Sequence, residues 1–317
     1  MRPDGLIQWV GWIVFGLSVS LAWASPSLGG AFVLYDDFAG SRIRPDQWYG
    51  SETRRPGAIL EASRFVADGK LHLSVVGYGR MGSNDGSRTG HFGLGVKTSR
   101  SITALQAELT VTNATVQTCT ENTRSTQGRA QLVGFFFNDG GSRGKGDLTG
   151  DVVALLEKVA DSQDGHFIRA LVLRCQSWSC SKGESIKAIL FKRKWTLGEP
   201  DVLRMEWEPE RSQFVFTVNP GAAAGETRRI AYDKALGPHQ APERQRQRVR
   251  VRSQGANCKA GRRGVVMTAS VDDVYLQFLD PQAVATLSSQ ALTPGTRTDG
   301  GVPLPSSREI TDDIYEQ

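Results

Sequence analysis

Residues 203–218 read LRMEWEPERSQFVFTV, and the spacing of their apolar side chains decides the fold class. Apolar residues stand at every second position from Leu203 to Trp207 and again from Phe214 to Val218. A period of two is typical of a β-strand that buries one face. The Pro-Glu-Arg-Ser segment between the two runs predicts a turn, so the stretch predicts two consecutive strands.

The same period recurs along the chain, for example over residues 105–111 and 274–278. Two other segments, residues 134–137 and 167–173, are apolar on both faces apart from Arg169 and predict strands that are buried on both faces. Asp-Gly and related turn signals separate these segments. Many short strands at near-regular spacing predict an all-β sandwich or jelly roll.

The N-terminus predicts export. Residues 6–22 are almost wholly apolar, follow a short charged start and lead into Ala22-Trp23-Ala24. A secretory signal peptide has this pattern, whereas the alternative, an uncleaved membrane anchor, needs about 20 apolar residues. We therefore predict a signal peptide over residues 1–24, a secreted or periplasmic protein, and no stable membrane span after cleavage.

The C-terminal residues 281–317 are rich in Ser, Thr, Pro and Gly and predict a disordered tail. This leaves residues 25–280 as one β-sandwich domain, a size that such folds often reach. The formal net charge of +5 is mild for 317 residues and gives no indication of nucleic-acid binding.

A family resemblance rests on motifs near both ends of the domain. Asp36-Asp37-Phe38, Trp48–Glu52 and Asp68–Leu73 follow one another as at the start of concanavalin A-like domains, and Ser270–Tyr275 is similar to their closing strand. In this order the motifs resemble the concanavalin A-like lectin/glucanase superfamily, with its LamG-like jelly rolls. The resemblance implies a jelly-roll β-sandwich of two curved antiparallel sheets, with any glycan groove on the concave face.

Four cysteines are present: Cys119, Cys175, Cys180 and Cys258. In an exported chain an even number indicates two disulfides, for which three pairings are possible. The short spacing of Cys175 and Cys180 suits a bridge that closes a tight loop, which leaves Cys119 with Cys258. A zinc site is the competing interpretation, but the sequence lacks C-x-x-C spacing and nearby histidines.

Glucanases of the superfamily carry catalytic carboxylates on one strand, in an E-x-D-x-x-E or E-x-D-x-E pattern. A retaining mechanism places two such groups about 5–5.5 Å apart. The nearest match is Glu206-Trp-Glu208-Pro-Glu210, in which Pro209 interrupts the strand. Glu206 and Glu208 are therefore weak catalytic candidates, and an ordinary solvated strand face is the better interpretation. A second acidic cluster also lacks the spacing: Asp147, Asp151 and Glu157.

Two tryptophans are candidates for ligand binding. Trp178 lies in the loop between two cysteines, and Trp195 follows a Lys-Arg-Lys segment. Aromatic side chains on loops can stack on the apolar face of a sugar ring, although many such tryptophans only cap the edge of a core. We favour Trp178, because a disulfide would hold it near solvent.

The strongest charge pattern is RQRQRVRVR at residues 244–252. In a strand, Arg246, Arg248, Arg250 and Arg252 share one face at intervals of about 6.6–6.8 Å. Such a row suits sulfate, uronate or phosphate groups, which accept paired hydrogen bonds from guanidinium. The competing interpretation is a solvated strand face that pairs with neighbouring acids or protects a sheet edge.

A calcium ion is a further candidate, since superfamily members often hold a structural ion. Asp36, Asp37, Asp272 and Asp273 would meet where the first and last strands pair. Carboxylate oxygens suit calcium, but alternation puts one Asp of each pair on a given face. Asp37 and Asp273 are thus weak metal candidates, and we expect no other cofactor.

These features favour a non-catalytic module that binds a carbohydrate or cell-envelope glycan, or another surface partner, with an anionic glycan as the specific hypothesis. Two alternatives remain open at this point. One is a glycan-cleaving enzyme, hydrolase or lyase, of the same fold, and the other is a structural envelope protein.

Overall fold

The computed structural model describes residues 30–52, 59–236, 242 and 246–279. The predicted signal peptide and C-terminal tail lie outside these residues. Within the described part, the strands form two antiparallel sheets. None of the described helices is both long and apolar enough to cross a membrane.

One sheet has eight strands: β1 (Val33–Asp36), β3 (Ile59–Ala67), β4 (Lys70–Tyr78), β6 (Ile102–Val116), β11 (Pro200–Glu208), β12 (Gln213–Val218), β13 (Glu226–Ala231) and β15 (Gly264–Phe278). Its order is β13-β12-β11-β6-β15-β4-β3, and β1 pairs with the C-terminal half of β15. The first and last strands thus lie side by side, as the resemblance predicted.

The other sheet has seven strands: β2 (Trp48–Glu52), β5 (Ser87–Val96), β7 (Gln127–Asn138), β8 (Asp151–Asp161), β9 (Gly165–Cys175), β10 (Gly183–Leu190) and β14 (Arg248–Ala256). Its order is β10-β9-β8-β7-β14-β5-β2. The predicted all-β jelly-roll sandwich of two antiparallel sheets is confirmed.

The hairpin predicted from residues 203–218 is present as β11 and β12. Leu203 pairs with Val218 and Trp207 with Phe214. The turn is a single 3₁₀ turn over Pro209–Arg211, so Glu210 lies outside both strands. Trp207 and Phe214 point into the core beside Phe137 and Tyr232, and the Trp207 indole donates to the Tyr232 hydroxyl at 2.9 Å. Burial raises the Tyr232 pKa to about 12.

A buried ion pair crosses the core between the two sheets. Lys158 of β8 and Asp201 of β11 are both fully buried, with Nζ 2.8 Å from a carboxylate oxygen. The ammonium also donates to the carbonyl oxygen of Leu109 at 2.8 Å, and Arg193 approaches Asp201 at 3.0 Å. Removing one partner would leave an uncompensated buried charge, so this contact fixes how β8 faces β11.

The motifs of the family resemblance hold the start of the fold together. Asp36 at the end of β1 accepts hydrogen bonds from the Trp48 indole at 2.7 Å and from the amide of Phe38 at 2.8 Å. Phe38 also stacks on Trp48, with ring centroids 5.8 Å apart. The Asp-Phe and Trp positions are therefore structural, and they connect β1 to β2 across the two sheets.

Both predicted disulfides are confirmed: Cys119–Cys258 and Cys175–Cys180. The first joins two loops at one end of the sandwich. The second joins residues five positions apart and so closes a short loop after β9.

The seven-stranded sheet is apolar on both faces at one end. A second cluster, separate from the core between the sheets, contains Phe135, Leu148, Val153 and Leu173 together with Cys175 and Cys180. Leu148 belongs to the loop between β7 and β8, so this loop and the disulfide loop cover the outer side of the sheet. This cover explains why residues 134–137 and 170–173 are apolar on both faces of the sheet.

Candidate functional site

The arginine row lies on a central strand. β14 pairs with β5 on one side and β7 on the other, and its Val249 and Val251 point into the core. Alternation puts Arg248, Arg250 and Arg252 on the outward face of the seven-stranded sheet. The sequence-based alternative of a solvated or edge strand is wrong, because Arg250 is 2% exposed and Arg252 is 4% exposed.

Arg250 starts a chain of polar contacts that extends over four neighbouring strands. Its Nε donates to the side-chain oxygen of Gln131 on β7 at 2.8 Å. The amide nitrogen of Gln131 in turn donates to Glu157 on β8. The other oxygen of Glu157 accepts two hydrogen bonds from Arg169 on β9, from Nε at 2.8 Å and from Nη2 at 2.5 Å.

Glu157 is fully buried in this chain of contacts. Burial raises its pKa, but the positive charges of Arg169 and Arg129 and the hydrogen bonds outweigh burial and lower the pKa overall. Glu157 is therefore an ionised counter-charge of the arginines rather than a proton donor.

A parallel set of contacts lies closer to the disulfide Cys119–Cys258. Arg129 of β7 is 2% exposed and donates to Gln127 at 2.9 Å and to Gln254 of β14 at 2.9 Å. Gln127 donates in turn to Asp161 at the end of β8. These amides fix the guanidinium of Arg129 in one plane across two strands.

His91 of β5 pairs directly with Arg252 and belongs to the same face. Burial is the largest cause that lowers its pKa, and the charges of Arg250, Arg248 and Arg252 lower it further, to well below the ordinary value. The imidazole is therefore neutral near pH 7 and offers both a donor and an acceptor.

We name this surface the arginine face: Arg129, Arg169, Arg246, Arg248, Arg250, Arg252, His91, Gln127, Gln131, Gln254, Glu157 and Asp161. Arg246 and Arg248 mark its border with the apolar cluster, since both guanidinium groups lie near the Phe135 ring, at 5.7 and 5.8 Å from its centre.

Two glycines of β5 make room for this face. A Cβ atom at Gly93 would lie 2.3 Å from the Val249 carbonyl oxygen and 2.5 Å from Cβ of Arg250. At Gly95 it would lie 2.1 Å from the ring of Tyr49. The absence of side chains at both positions lets Arg250 and Tyr49 lie against the backbone of β5.

The two tryptophan candidates differ in environment. Trp178 is 61% exposed on the disulfide loop, with its carbonyl oxygen held by the amide of Leu148 at 2.9 Å. Trp195 is 2% exposed, donates from its indole to the Val159 carbonyl at 2.9 Å and stacks on His166. The expectation that Trp195 is a ligand-binding loop residue is contradicted, because its side chain is part of the core.

Glu206 and Glu208 lie on the outward face of the other sheet. Glu206 is 3.7 Å from Arg204, and burial raises its pKa. Glu208 accepts hydrogen bonds from Gln213 and, at 3.4 Å, from Arg211. The structure therefore separates this carboxylate pair from the arginine face by the full thickness of the sandwich.

The calcium candidates do not form a metal site among the described residues, where no group of three potential ligands comes together. Asp36 is paired with Arg44 at 2.7 Å, and Asp272 lies 3.3 Å from Lys70. Asp273 has a φ of 46° and a pKa raised by burial and by the charge of Asp272. Two of the four carboxylates therefore already pair with a cationic side chain of the protein.

The arginine face offers strong hydrogen-bond donors in a fixed arrangement. Sequence reasoning found the row on β14 but not its partners on neighbouring strands, Arg129, Gln131, Glu157 and His91. The alternation of Gln127, Arg129 and Gln131 was the available signal, but only strand pairing shows that these residues join the row.

Comparison with known proteins gives similarity at the level of fold. No family model and no curated protein matches the sequence. Among solved structures, a β-1,3-glucanase from Mycobacterium marinum matches at 12% identity and a TM-score of 0.42, covering 78% of this chain and 99% of that one. A pseudo β-1,3-glucanase of Mycobacterium tuberculosis matches at 12% and 0.42, covering 79% and 100%.

Lectin II from Ulex europaeus matches at 12% identity and a TM-score of 0.31, covering 71% of this chain and 97% of that one. Glucanase-like proteins and lectins are thus among the solved structures to which this chain is similar. At such low identities and TM-scores, the ligands and reactions of these proteins do not transfer to this chain.

Proposed function

We propose that this protein is an exported, non-catalytic module that binds an anionic glycan on its arginine face. The observation that carries the proposal is the layer of guanidinium groups on β14 and β7, held in place by side-chain amides. Arg129, Arg250 and Arg252 come from two adjacent strands, so their donors form a patch rather than a single line.

The charge of this face selects the ligand class. Sulfate and carboxylate groups accept paired, charge-assisted hydrogen bonds from guanidinium, which a neutral sugar hydroxyl does not match. Neutral His91 and the amides of the face can serve the hydroxyl groups of the same sugar. Together these groups suit a glycan that carries uronate or sulfate.

Trp178 supplies a second type of contact. It stands on the disulfide loop above the apolar end of the same sheet face, since Leu148 of that apolar cluster donates to its carbonyl oxygen. An exposed indole held by a short disulfide loop suits stacking on a sugar ring. We propose that the chain of the glycan extends from the arginines toward this tryptophan.

The environment of Glu157 supports binding rather than cleavage. Retaining glycosidases need two carboxyl groups about 5–5.5 Å apart facing the substrate. On β8, the neighbouring outward positions beside Glu157 are Leu155 and Val159, and both oxygens of Glu157 accept hydrogen bonds from Arg169 and Gln131. Asp161 is also engaged, by Ser125 at 2.7 Å.

Export is proposed on two grounds. The N-terminal residues have the pattern of a signal peptide, and the two disulfides fit folding in an oxidising compartment. Its compartment is then the periplasm or the medium, where anionic polysaccharides are accessible.

The test compares retention on immobilised heparin and on polygalacturonate with release of reducing ends in the same samples. We expect the protein to be retained on the polysaccharides without release of reducing ends. Replacing Arg248 and Arg250 with Ala should cost at least about 2 kcal/mol of binding free energy, as is typical of hydrogen bonds to charged groups. Arg250→Lys keeps the charge but not the paired donors and tests the geometry.

Arg211→Ala with Arg229→Ala is the matched control, because both arginines are exposed and lie in the turn after β11 and on β13 of the other sheet. It removes two positive charges, as the Arg248/Arg250 variant does, and we expect retention like that of the wild type. Equal retention of the Arg248/Arg250 variant and the wild type, with both folded by circular dichroism, would exclude the arginine face. Release of reducing ends would show an enzyme instead.

A further inference from the structure

The buried ion pair between the sheets brings an amine and a carboxyl group together where bulk water does not reach. Lys158 and Asp201 are both fully buried, and Nζ lies 2.8 Å from Oδ2. This oxygen nevertheless accepts no hydrogen bond of ordinary geometry from the described residues. The contact is therefore a close approach of Nζ to the carboxyl group rather than an aligned hydrogen bond. The carboxyl carbon Cγ lies at most one bond length farther from Nζ than Oδ2 does.

We infer that Lys158 and Asp201 form an autocatalytic cross-linking site, at which an amide bond between the two side chains joins the two sheets covalently. Lys158 belongs to β8 of the seven-stranded sheet and Asp201 to β11 of the eight-stranded sheet. The cross-link is independent of the proposed glycan binding, because both side chains lie between the sheets and not on the arginine face.

The reaction needs only the atoms that the pair itself holds. The Lys158 ammonium first passes a proton to Oδ2 of Asp201, which leaves a neutral amine beside a carboxylic acid. The lone pair of Nζ then forms the bond to Cγ. The bond between Cγ and Oδ2 breaks as a second proton from Nζ goes to that oxygen, and one water molecule leaves. Each side chain loses its charge, and no oxidant, reductant or co-reactant is consumed.

Contacts on the lysine side hold the amine in place. Nζ donates to the carbonyl oxygens of Leu109 at 2.8 Å and Glu199 at 3.1 Å. Burial is the largest cause that lowers the pKa of Lys158, which increases the fraction of neutral, nucleophilic amine. An amine that is fixed at contact distance from its target reacts as if it were present at a very high local concentration.

Contacts on the carboxyl side polarise the group that the amine attacks. Nη2 of Arg193 lies 3.0 Å from Oδ1 of Asp201, and Nδ2 of Asn219 donates to the same oxygen at 2.7 Å. The Asn219 amide is itself oriented, because its oxygen accepts the backbone N–H of Val202 at 2.8 Å. These donors stabilise the negative charge that develops on Oδ1 as Nζ adds to Cγ, as the donors of an oxyanion hole do.

Burial favours the amide over the ion pair. Buried ions lose their hydration, whereas the amide that replaces Lys158 and Asp201 is neutral. Arg193 keeps its charge, but its side chain is 30% exposed and stays hydrated. Hydrolysis would need water at Cγ, and the fully buried position limits the access of bulk water to this atom.

The test is the mass of the folded, purified wild-type chain, measured in denaturant after the disulfides are reduced. An amide bond gives a mass lower than that of the sequence by one water molecule, whereas an ion pair leaves the mass unchanged. Lys158→Arg is the control, because guanidinium keeps the positive charge without forming the amide. We expect the water loss in the wild type and its absence in Lys158→Arg.

Digestion with trypsin locates the bond. Residues 146–169 and 195–204 each end at an arginine, and amidated Lys158 is no longer a cleavage site. The cross-linked chain should therefore give one branched peptide that contains both ranges. Unmodified mass of the wild type would overturn the inference, as would a water loss that maps to another part of the chain or remains in Lys158→Arg. The wild-type digest decides the question even if the variant does not fold.

Discussion

At the scale of single residues, the surroundings of His91 on the arginine face keep its imidazole uncharged. Burial and three neighbouring guanidinium groups hold the His91 pKa well below its ordinary value. In the unfolded chain the same imidazole takes up a proton near pH 6.5. The unfolded state thus binds more protons below that pH, and the free energy of unfolding falls as the pH decreases.

We predict that His91→Gln reduces this pH dependence. The contribution of neutral His91 to the free energy of unfolding is fully present above about pH 6.5 and decreases progressively below it. Urea unfolding of the wild type and the variant between pH 8 and pH 5 measures it. The stability difference between the two proteins should be constant above pH 7.5 and shift in favour of the variant below pH 6.5. A difference that is the same at every pH would contradict the assigned environment.

The two tryptophans show the limit of residue-level prediction. Trp178 and Trp195 both follow turn-like, polar sequence, and only Trp178 is exposed. Trp195 is buried because its indole finds the Val159 carbonyl on a strand more than thirty residues earlier. Local sequence contains no signal for such a distant partner.

At the scale of elements, the glycines of β5 set how closely β14 approaches. Gly93→Ala would bring a Cβ atom within 2.3 Å of the Val249 carbonyl oxygen. We predict a loss of about 1–3 kcal/mol of unfolding free energy, as is typical of overpacking, and weaker anion binding because Arg250 must move.

Gly128→Ala in β7 is the matched control, since its nearest neighbour would be Cβ of Met267 at 3.4 Å, an ordinary contact. It should change stability by less than about 1 kcal/mol, because alanine also lowers the entropy of the unfolded chain. Thermal unfolding followed by circular dichroism measures both variants. Similar melting temperatures for the two would contradict the close approach of β5 and β14.

The sequence pattern was enough to predict a strand wherever one face of that strand is buried. The hairpin of residues 203–218, the opening Asp-Phe and Trp motifs and the arginine-bearing strand all follow from short-range pattern. The position of β14 in the middle of its sheet did not, since the polar alternation of Arg and Gln is typical of a solvated face. That burial depends on pairing with β5 and β7, which are separated from β14 by more than a hundred residues.

At the scale of the whole molecule, the two disulfides constrain very different lengths of chain. Cys119–Cys258 joins residues 139 positions apart, and Cys175–Cys180 joins residues 5 apart. In the chain-entropy description these closures stabilise by about 5 and about 2 kcal/mol.

We predict that Cys119→Ala with Cys258→Ala lowers the free energy of unfolding about 3 kcal/mol more than Cys175→Ala with Cys180→Ala. The second pair of changes should instead lower glycan affinity, because it releases the loop that holds Trp178. Urea unfolding and glycan titration of both variants give the comparison. A larger loss of stability from the shorter loop would contradict this division of roles.

In our proposal, the outward face of the seven-stranded sheet binds an anionic glycan. The most direct measurement is calorimetric titration of the full chain with heparin and with an uncharged β-1,3-glucan, at 50 and 300 mM salt (about 14 and 6 Å Debye length). We expect heparin to bind with an affinity that decreases as the salt concentration rises, and the uncharged glucan to bind much more weakly. Equal binding of both polysaccharides, independent of salt, would contradict the proposal.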